Sequence, residues 1–174
     1  MDKCWLEKKV KGFDGFVIDQ VDDITKQISR EIKLLFDNCK ENHSNGKRII
    51  KFKIQNDANL INDGFKIINK NEIIEIIGKN TMGLLYGLYT LYRREILKNK
   101  YEEIISNPDQ SIRMINHWDN MDGTIERGYA GESIFFKDNS FRRDFTLVEE
   151  YARLLASVGI NALSINNVNV HKIE

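Results

Sequence analysis

Trp118, Asp119 and Asn120 directly follow a short, mostly apolar segment over residues 111–116 that has the pattern of a β-strand. An indole ring can pack on the apolar face of a pyranose, while carboxylate and amide groups bind its hydroxyls. These residue types at the end of a strand therefore suit a sugar ligand. Taken alone, Trp118 could equally be a core residue.

A second polar group follows residues 160–165, which also read as a strand, and it includes Asn166 and Asn167. Between the two strands an apolar face over 148–158 predicts a helix. Thr146 and Glu149 indicate a capping box at its start, and Gly159 indicates its end. Strand, helix and strand predict a parallel βαβ unit. Its polar groups then meet at the carboxyl ends of the strands, where such sheets bind ligands.

Each of these polar residues also has a structural interpretation. Asp119, Asp122 and Glu126 could cap loop backbone, and Arg127 could pair with a neighbouring acid. His117 fits a hydrogen-bonded structural histidine better than a catalyst. Asn166 and Asn167 could satisfy backbone groups at a sharp turn. Two carboxyl groups several residues apart are weak evidence for acid–base catalysis, so no catalytic residue is assigned.

The elements that carry these residues lie in the second of two domains. The chain has one proline, Pro108, within a turn-forming cluster. Residues 1–107 hold 19 basic and 16 acidic side chains, whereas residues 108–174 hold 7 and 10. We therefore expect domains over 1–107 and 108–174.

The first domain is predicted to be a small α+β layer. An apolar face at helical spacing predicts a helix over about 21–40, and alternation predicts a strand over 50–54. Residues 65–68 and 73–77 predict a hairpin that turns at 69–71. A second helix should cover 81–97. The expected result is an antiparallel or mixed sheet covered by two helices.

The second helix should begin at Thr81 as its N-cap and contains Gly83 and Gly87. Glycine weakens a helix interior, so close packing of this helix on the sheet is the favoured explanation. A phosphate-binding loop is disfavoured because Gly-Leu-Leu-Tyr-Gly lacks the Lys-Ser/Thr pair of such loops.

Composition excludes several classes of protein. With 26 basic and 26 acidic residues the formal net charge is zero, which disfavours nucleic-acid binding through bulk positive charge. The longest uncharged apolar stretch, 80–92, is too short to span a bilayer, so no membrane partner is expected.

The first residues lack the apolar region of a secretory signal, and two cysteines cannot build a disulfide scaffold. A reducing, cytoplasmic location is expected. Three dispersed histidines give little support for a metal, and no cofactor is expected.

The run from Arg113 to Phe135, which contains His-Trp-Asp-Asn-Met-Asp-Gly-Thr-Ile-Glu-Arg-Gly-Tyr-Ala-Gly, strongly resembles the α-glucuronidases of glycoside hydrolase family 67. Residues 151–161 and Asn166-Asn167-Val168-Asn169 resemble the same family. Trp5-Leu6 and residues 83–87 match it more loosely.

This resemblance implies a first domain like the second domain of β-hexosaminidases, followed by a (β/α)₈ barrel. It implies hydrolysis, with inversion, of α-1,2-linked glucuronic acid or its 4-O-methyl form from xylo-oligosaccharides. Trp118 and Val168 match positions around the C4 substituent of the uronic acid; Asp119, Asn120 and Asn167 are further candidate sugar contacts.

A barrel needs eight strands, but only two are present here. The family's acid and base carboxylates lie on later strands, so no residue here corresponds to them. We therefore expect a fragment of a longer enzyme that is inactive alone, with an uncovered barrel edge that could pair two copies. The alternative function is a non-catalytic carbohydrate-binding or assembly module that uses residues 1–107; it would need an aromatic groove there. The aromatic residues of that region have core patterns, which favours the fragment.

Overall fold

The computed structural model describes residues 4–20 and 22–167. These residues form two compact units, one within residues 3–111 and the other within 112–174. Sequence composition placed the domain boundary at 107, four residues before the division between Ser111 and Ile112. The last strand of the first unit ends at Ser106, so the segment 107–111 connects it to the second unit.

The first unit contains a six-stranded mixed sheet. Its strands are β1 (Gly15–Ile18), β2 (Lys40–Glu41), β3 (Ile49–Ile54), β4 (Phe65–Lys70), β5 (Ile73–Gly78) and β6 (Glu103–Ser106). Their order is β2-β1-β3-β5-β4-β6, with β2, β1, β3 and β5 parallel and with β4 antiparallel to both β5 and β6. The predicted hairpin is present as β4 and β5, and Asn71 adopts a positive φ of 64° at its turn. Sequence patterns did not indicate β2 or β6, because each is a short edge strand.

Helix α1 (Asp23–Leu35) is shorter than the predicted 21–40. Asp22 caps it in a reciprocal capping box with Thr25. Phe36 ends it in an extended conformation and forms a parallel bridge with Val10. This pairing ends the helix at Leu35, although the helical spacing of apolar residues continues to Cys39 in the sequence.

Helix α2 (Thr81–Leu97) has the predicted bounds but a different cap. The prediction of Thr81 as N-cap was wrong: Asn80 is the cap, and its side chain accepts a hydrogen bond of 2.9 Å from the Gly83 amide. Thr81 is the first helical residue, and its hydroxyl donates instead to Asp22 at 3.0 Å. The side chain of Asn80, rather than that of Thr81, thus reaches the Gly83 amide, which has no partner within the helix.

The core of the first unit lies on one face of the sheet. Ile50 and Phe52 of β3 are fully buried and pair in register with the fully buried Ile74 and Ile76 of β5. The residues between them, such as Lys51, are charged and only half-buried. Helix α2 packs on β3, β4 and β5 and also contacts α1. The predicted sheet covered by two helices is therefore a two-layer structure whose second face is mixed, with the charged Lys51 beside the buried Ile49.

Close packing explains the two glycines of α2, as the sequence indicated. A Cβ on Gly87 would lie 2.5 Å from Cγ2 of Ile76, and one on Gly83 would lie 2.5 Å from the carbonyl oxygen of Gly64. Any side chain would therefore push the helix away from the sheet or from the loop before β4.

The second unit contains the predicted strand, helix and strand as β7 (Met114–His117), α3 (Thr146–Ser157) and β10 (Ala162–Ile165). The two strands are parallel, with Met114 opposite Ala162 and His117 opposite Ile165. Between β7 and α3 lies a hairpin that the sequence patterns did not reveal, formed by β8 (Phe136–Lys137) and β9 (Ser140–Phe141).

The start of α3 differs from the prediction. Phe145 occupies the N-cap position without a side-chain hydrogen bond, so the capping box expected from Thr146 and Glu149 was wrong. Asp144 instead accepts hydrogen bonds from the amide and the hydroxyl of Thr146, at 2.9 and 2.7 Å. Gly159 follows the helix with a φ of 82°, as expected of a glycine beyond a C-cap. Over the described residues, none of the helices has the length and apolar character needed to cross a bilayer.

Candidate functional site

The polar residues that follow β7 and β10 meet, as the parallel pairing predicts. The side-chain amide of Asn166 donates to Oδ1 of Asn116, and the backbone amide of Asn166 donates to the His117 carbonyl at 2.8 Å. These contacts bind the chain leaving β10 to the end of β7. Polar groups from both strands therefore share the carboxyl edge of this small sheet.

The segment after β7 folds back on itself in a tight loop. The amide of Glu126 donates to the Trp118 carbonyl, and that of Asn120 donates to the Thr124 carbonyl, each at 2.8 Å. The side chain of Asn120 donates to the Thr124 hydroxyl at 2.9 Å and to the Glu126 carbonyl at 2.7 Å. Asp122 accepts from the amide and hydroxyl of Thr124, which is the loop-capping role considered for it. Asn120 is thus the internal brace of the loop.

Asp119, a residue of this loop, has only 1% of its surface exposed. Its carboxylate has no hydrogen-bond donor among the described residues, although Nδ1 of His117 lies 3.4 Å from Oδ1. At that distance the contact is too long for a well-formed hydrogen bond. Burial of a polar group without a hydrogen-bond partner costs free energy.

His117 connects that carboxylate to helix α3. Its Nε2 lies 2.8 Å from the Tyr151 hydroxyl, and its ring packs edge-to-face with Phe135 and Tyr151. Burial, together with the nearby charge of Asp119, raises the pKa of Tyr151. The hydrogen-bonded structural role expected of His117 is confirmed. Tyr151 and Phe135 had no comparable signal in the sequence, because only the fold brings them to the end of β7.

The candidate sugar contacts fall into two groups. Trp118 is 48% exposed, which argues against a core role, and Asn167 is exposed. Asp119 and Asn120 are each 1% exposed. Direct sugar contact by these four residues stays a prediction, and burial favours a positioning role for Asp119 and Asn120. Val168 lies outside the described residues.

A surface depression occurs in each unit. The first unit has an open one beside the bidentate Arg48–Glu95 ion pair, whose hydrogen bonds are 3.0 and 2.8 Å long. Tyr101 donates to the same Glu95 carboxylate at 2.9 Å, and Arg48 also stacks on Phe13 at 4.1 Å. These groups satisfy one another, so the cluster has the character of a structural network. The second depression adjoins the β8–β9 hairpin. Within the described residues, no three metal-ligating side chains cluster.

Solved structures with a similar fold include glycosidases. A β-N-acetylhexosaminidase from Bacteroides fragilis aligns with a TM-score of 0.57 and 12% identity, over 90% of this chain and 29% of that one. A family GH115 4-O-methyl-α-glucuronidase with specificity for decorated arabinogalactans aligns with a TM-score of 0.51 and 13% identity, over 91% of this chain and 26% of that one. The fold is therefore that of a region found in glycosidases, and its mixed α/β sheet agrees with the hexosaminidase-like first domain expected from the sequence.

Sequence comparison finds similarity to α-glucuronidases. Residues 94–174 match the glycosyl hydrolase family 67 middle domain. The chain is 47% identical over 111 residues to alpha-glucuronidase A of Aspergillus tubingensis, and 42% identical over 120 residues to that of Emericella nidulans. These matches confirm the resemblance of residues 94–174 to glycoside hydrolase family 67. They cover 63% and 65% of this chain but only 13% and 14% of the two relatives, so the chain corresponds to a small part of the length of either.

Proposed function

We propose that this chain is the first domain and the first strand–helix–strand unit of an α-glucuronidase barrel. The enzyme would remove α-1,2-linked glucuronic acid, or its 4-O-methyl form, from xylo-oligosaccharides with inversion. The observation that carries the proposal is the family 67 match over residues 94–174, which includes the parallel pair β7–β10 and the half-exposed Trp118 at its carboxyl edge. A (β/α)₈ barrel places its ligand at this end of its strands.

Trp118 would pack on the apolar face of the uronic acid, with Val168 beside the C4 substituent and Asn167 as a polar contact. Asn120 supports this role indirectly, because it braces the loop whose Glu126 amide fixes the Trp118 carbonyl. Asp119 and His117 would hold the same loop on α3. A sugar platform needs such support, since loss of preorganisation weakens binding.

The 174-residue chain is proposed to be inactive by itself. Inverting hydrolysis needs a proton donor and a water-activating carboxylate on opposite faces of the sugar. In the second unit, Asp122 and Asp144 cap threonine backbones and Asp119 is buried, so these carboxylates already serve the fold. None of them is assigned as a catalytic residue.

The test is binding of an aldouronic acid to the intact enzyme, measured by calorimetry for the wild type and for Trp118→Ala. Burial of a large aromatic side chain contributes on the order of a few kcal/mol, so affinity should fall at least tenfold. Tyr129→Ala removes another aromatic side chain, 71% exposed, and should leave affinity within twofold. Unchanged affinity in Trp118→Ala would refute the role of this residue.

The alternative, a carbohydrate-binding module within residues 1–107, is not favoured. Its candidate aromatic residues, Phe52, Phe65, Tyr86, Tyr89 and Tyr92, are all buried in the first unit. They form the core, as their patterns predicted, and provide no sugar platform. A cytoplasmic location remains part of the proposal.

A further inference from the structure

The β8–β9 hairpin forms one wall of a small pocket in the second unit. Its two turn residues, Asp138 and Asn139, both have positive φ, 51° and 60°, as a two-residue type I′ turn requires. The pocket has a volume of about 310 Å³, at the small end of the range for ligand sites. It is lined by Ile134, Lys137, Asp138, Ser140, Phe141, Arg142, Arg143, Asp144 and Leu147, and Trp118 is not among these residues.

Phe141 gives this pocket an aromatic surface. It is 62% exposed, but its ring centroid lies 4.7 Å from that of the buried Phe136, with the planes inclined by 36°. Contact with the Phe136 ring thus holds Phe141 in place, while most of the Phe141 surface remains exposed to solvent. An exposed but immobilised ring can receive the apolar face of a sugar at little entropic cost.

The pocket also carries unequal charge, with three basic and two acidic side chains in its lining. Arg142 is oriented by the Ser133 carbonyl, to which its Nε donates at 2.8 Å. Asp144 is occupied by the amide and the hydroxyl of Thr146. Lys137 and Arg143 have exposed side chains that form no ion pair within the described part of the chain. They remain available to a negatively charged group.

We propose that this pocket binds the uronic acid unit of a glycan, with its pyranose ring on Phe141 and its carboxylate on Arg143 and Lys137. Arginine pairs with a carboxylate through two parallel hydrogen bonds, and lysine adds a point charge. The inference rests on the proposed function for its ligand class, but it assigns a second sugar contact, separate from Trp118. Such a contact would hold an acidic side branch of the polysaccharide outside the reaction site.

The experiment is an NMR titration of the 174-residue chain with sodium D-glucuronate, with D-glucose and sodium acetate in parallel. We expect glucuronate to shift the Arg143 side-chain Nε–H resonance and the amide of Phe141 more than either control does. In Arg143→Gln and in Phe141→Ala, the dissociation constant derived from the hairpin resonances should rise about tenfold. Arg30→Gln, an exposed arginine of α1, is the matched control and should leave it unchanged. The dispersion of the remaining amide signals verifies that each variant is folded.

The outcomes separate this inference from the proposed function. Equal shifts with acetate would show a general anion site, and equal shifts with glucose would show that the carboxylate is not recognised; each would overturn the inference. Absence of any glucuronate effect at the hairpin would overturn it as well. If Trp118→Ala loses aldouronic acid binding in the intact enzyme while Arg143→Gln has no effect at the hairpin, the proposed function stands and the inference fails. If Arg143→Gln weakens glucuronate binding at the hairpin while Trp118→Ala leaves aldouronic acid binding unchanged, the inference about the pocket stands and the role of Trp118 is refuted.

Discussion

At the scale of single residues, several polar side chains of the second unit build the loop after β7. Asn120 and Asp122 satisfy backbone groups, and His117 joins the buried Asp119 to Tyr151 of α3. This loop leaves the large side chains of Trp118 and Met121 partly exposed. The sequence motif therefore combines one candidate ligand contact with several residues that position it.

Cys39 provides a residue-scale prediction in the first unit. Burial, followed by the nearby charge of Asp14, raises the pKa of its thiol from 9.0 to about 12. Because the thiolate is the reactive species, alkylation of native Cys39 by iodoacetamide should be very slow at pH 8. In urea, alkylation of Cys39 should reach the rate of an exposed cysteine. Peptide mapping by mass spectrometry measures both rates; rapid native alkylation at Cys39 would contradict the burial of this thiol.

At the scale of elements, the helix caps decide where the helices begin. Asn80→Ala should destabilise the first unit by about 0.5–2 kcal/mol, because the Gly83 amide loses its acceptor. Thr81→Ala removes only an exposed hydrogen bond to Asp22 and should cost less. Urea unfolding of both variants provides the comparison. A larger loss of unfolding free energy in Thr81→Ala than in Asn80→Ala would indicate that Thr81 is the N-cap.

The packing of α2 on the sheet leads to a second prediction at this scale. Gly87→Ala should destabilise by about 1–3 kcal/mol, although alanine favours a helix, because its Cβ would lie 2.5 Å from Cγ2 of Ile76. Chemical denaturation measures the loss. In an Ile76→Ala background the clash is absent, so the same glycine substitution should have little cost there. An equal loss in both backgrounds would show that the cause is not this contact.

At the scale of the whole molecule, the small sheet of the second unit has open edges. Within the described residues β10 pairs with β7 alone, and Leu163 of β10 is 38% exposed. Such edges favour pairing with another chain. We expect the 174-residue chain to self-associate at micromolar concentrations and Leu163→Lys to reduce this, as measured by light scattering after size exclusion. Asn59→Lys, in the first unit, serves as a control for added charge. A monomeric wild type would refute pairing through this edge.

The last prediction concerns activity. The 174-residue chain alone should release no glucuronic acid from aldouronic acids, because two of eight strands cannot hold an acid and a base about the sugar. Small displacements of catalytic groups already cost orders of magnitude in rate. Product release is measured by chromatography in a preparation free of any longer α-glucuronidase. Enzyme-like turnover would mean that a carboxylate among these residues is catalytic.

Sequence alone determined the elements whose patterns are strong and local. Alternation over 50–54 predicted β3, the runs 65–68 and 73–77 about a polar turn predicted the β4–β5 hairpin, and the apolar face over 81–97 predicted α2. The parallel pairing of β7 and β10 followed from the strand–helix–strand order. The run 113–135 also showed the resemblance to glycoside hydrolase family 67, because chemistry-bearing residues there stand in a specific order.

Tertiary structure decided what depends on distant parts of the chain. Helix α1 ends at Leu35 because Phe36 pairs with Val10, and β6 forms because β4 offers it an edge. The helical spacing of apolar residues extends past Leu35, so it cannot show where pairing with a distant segment ends the helix. The β8–β9 hairpin, the burial of Asp119 and the anchoring of Phe141 on Phe136 likewise arise from contacts between segments. Local patterns report which face of a segment is apolar, whereas burial and pairing energies are fixed only when the segments meet.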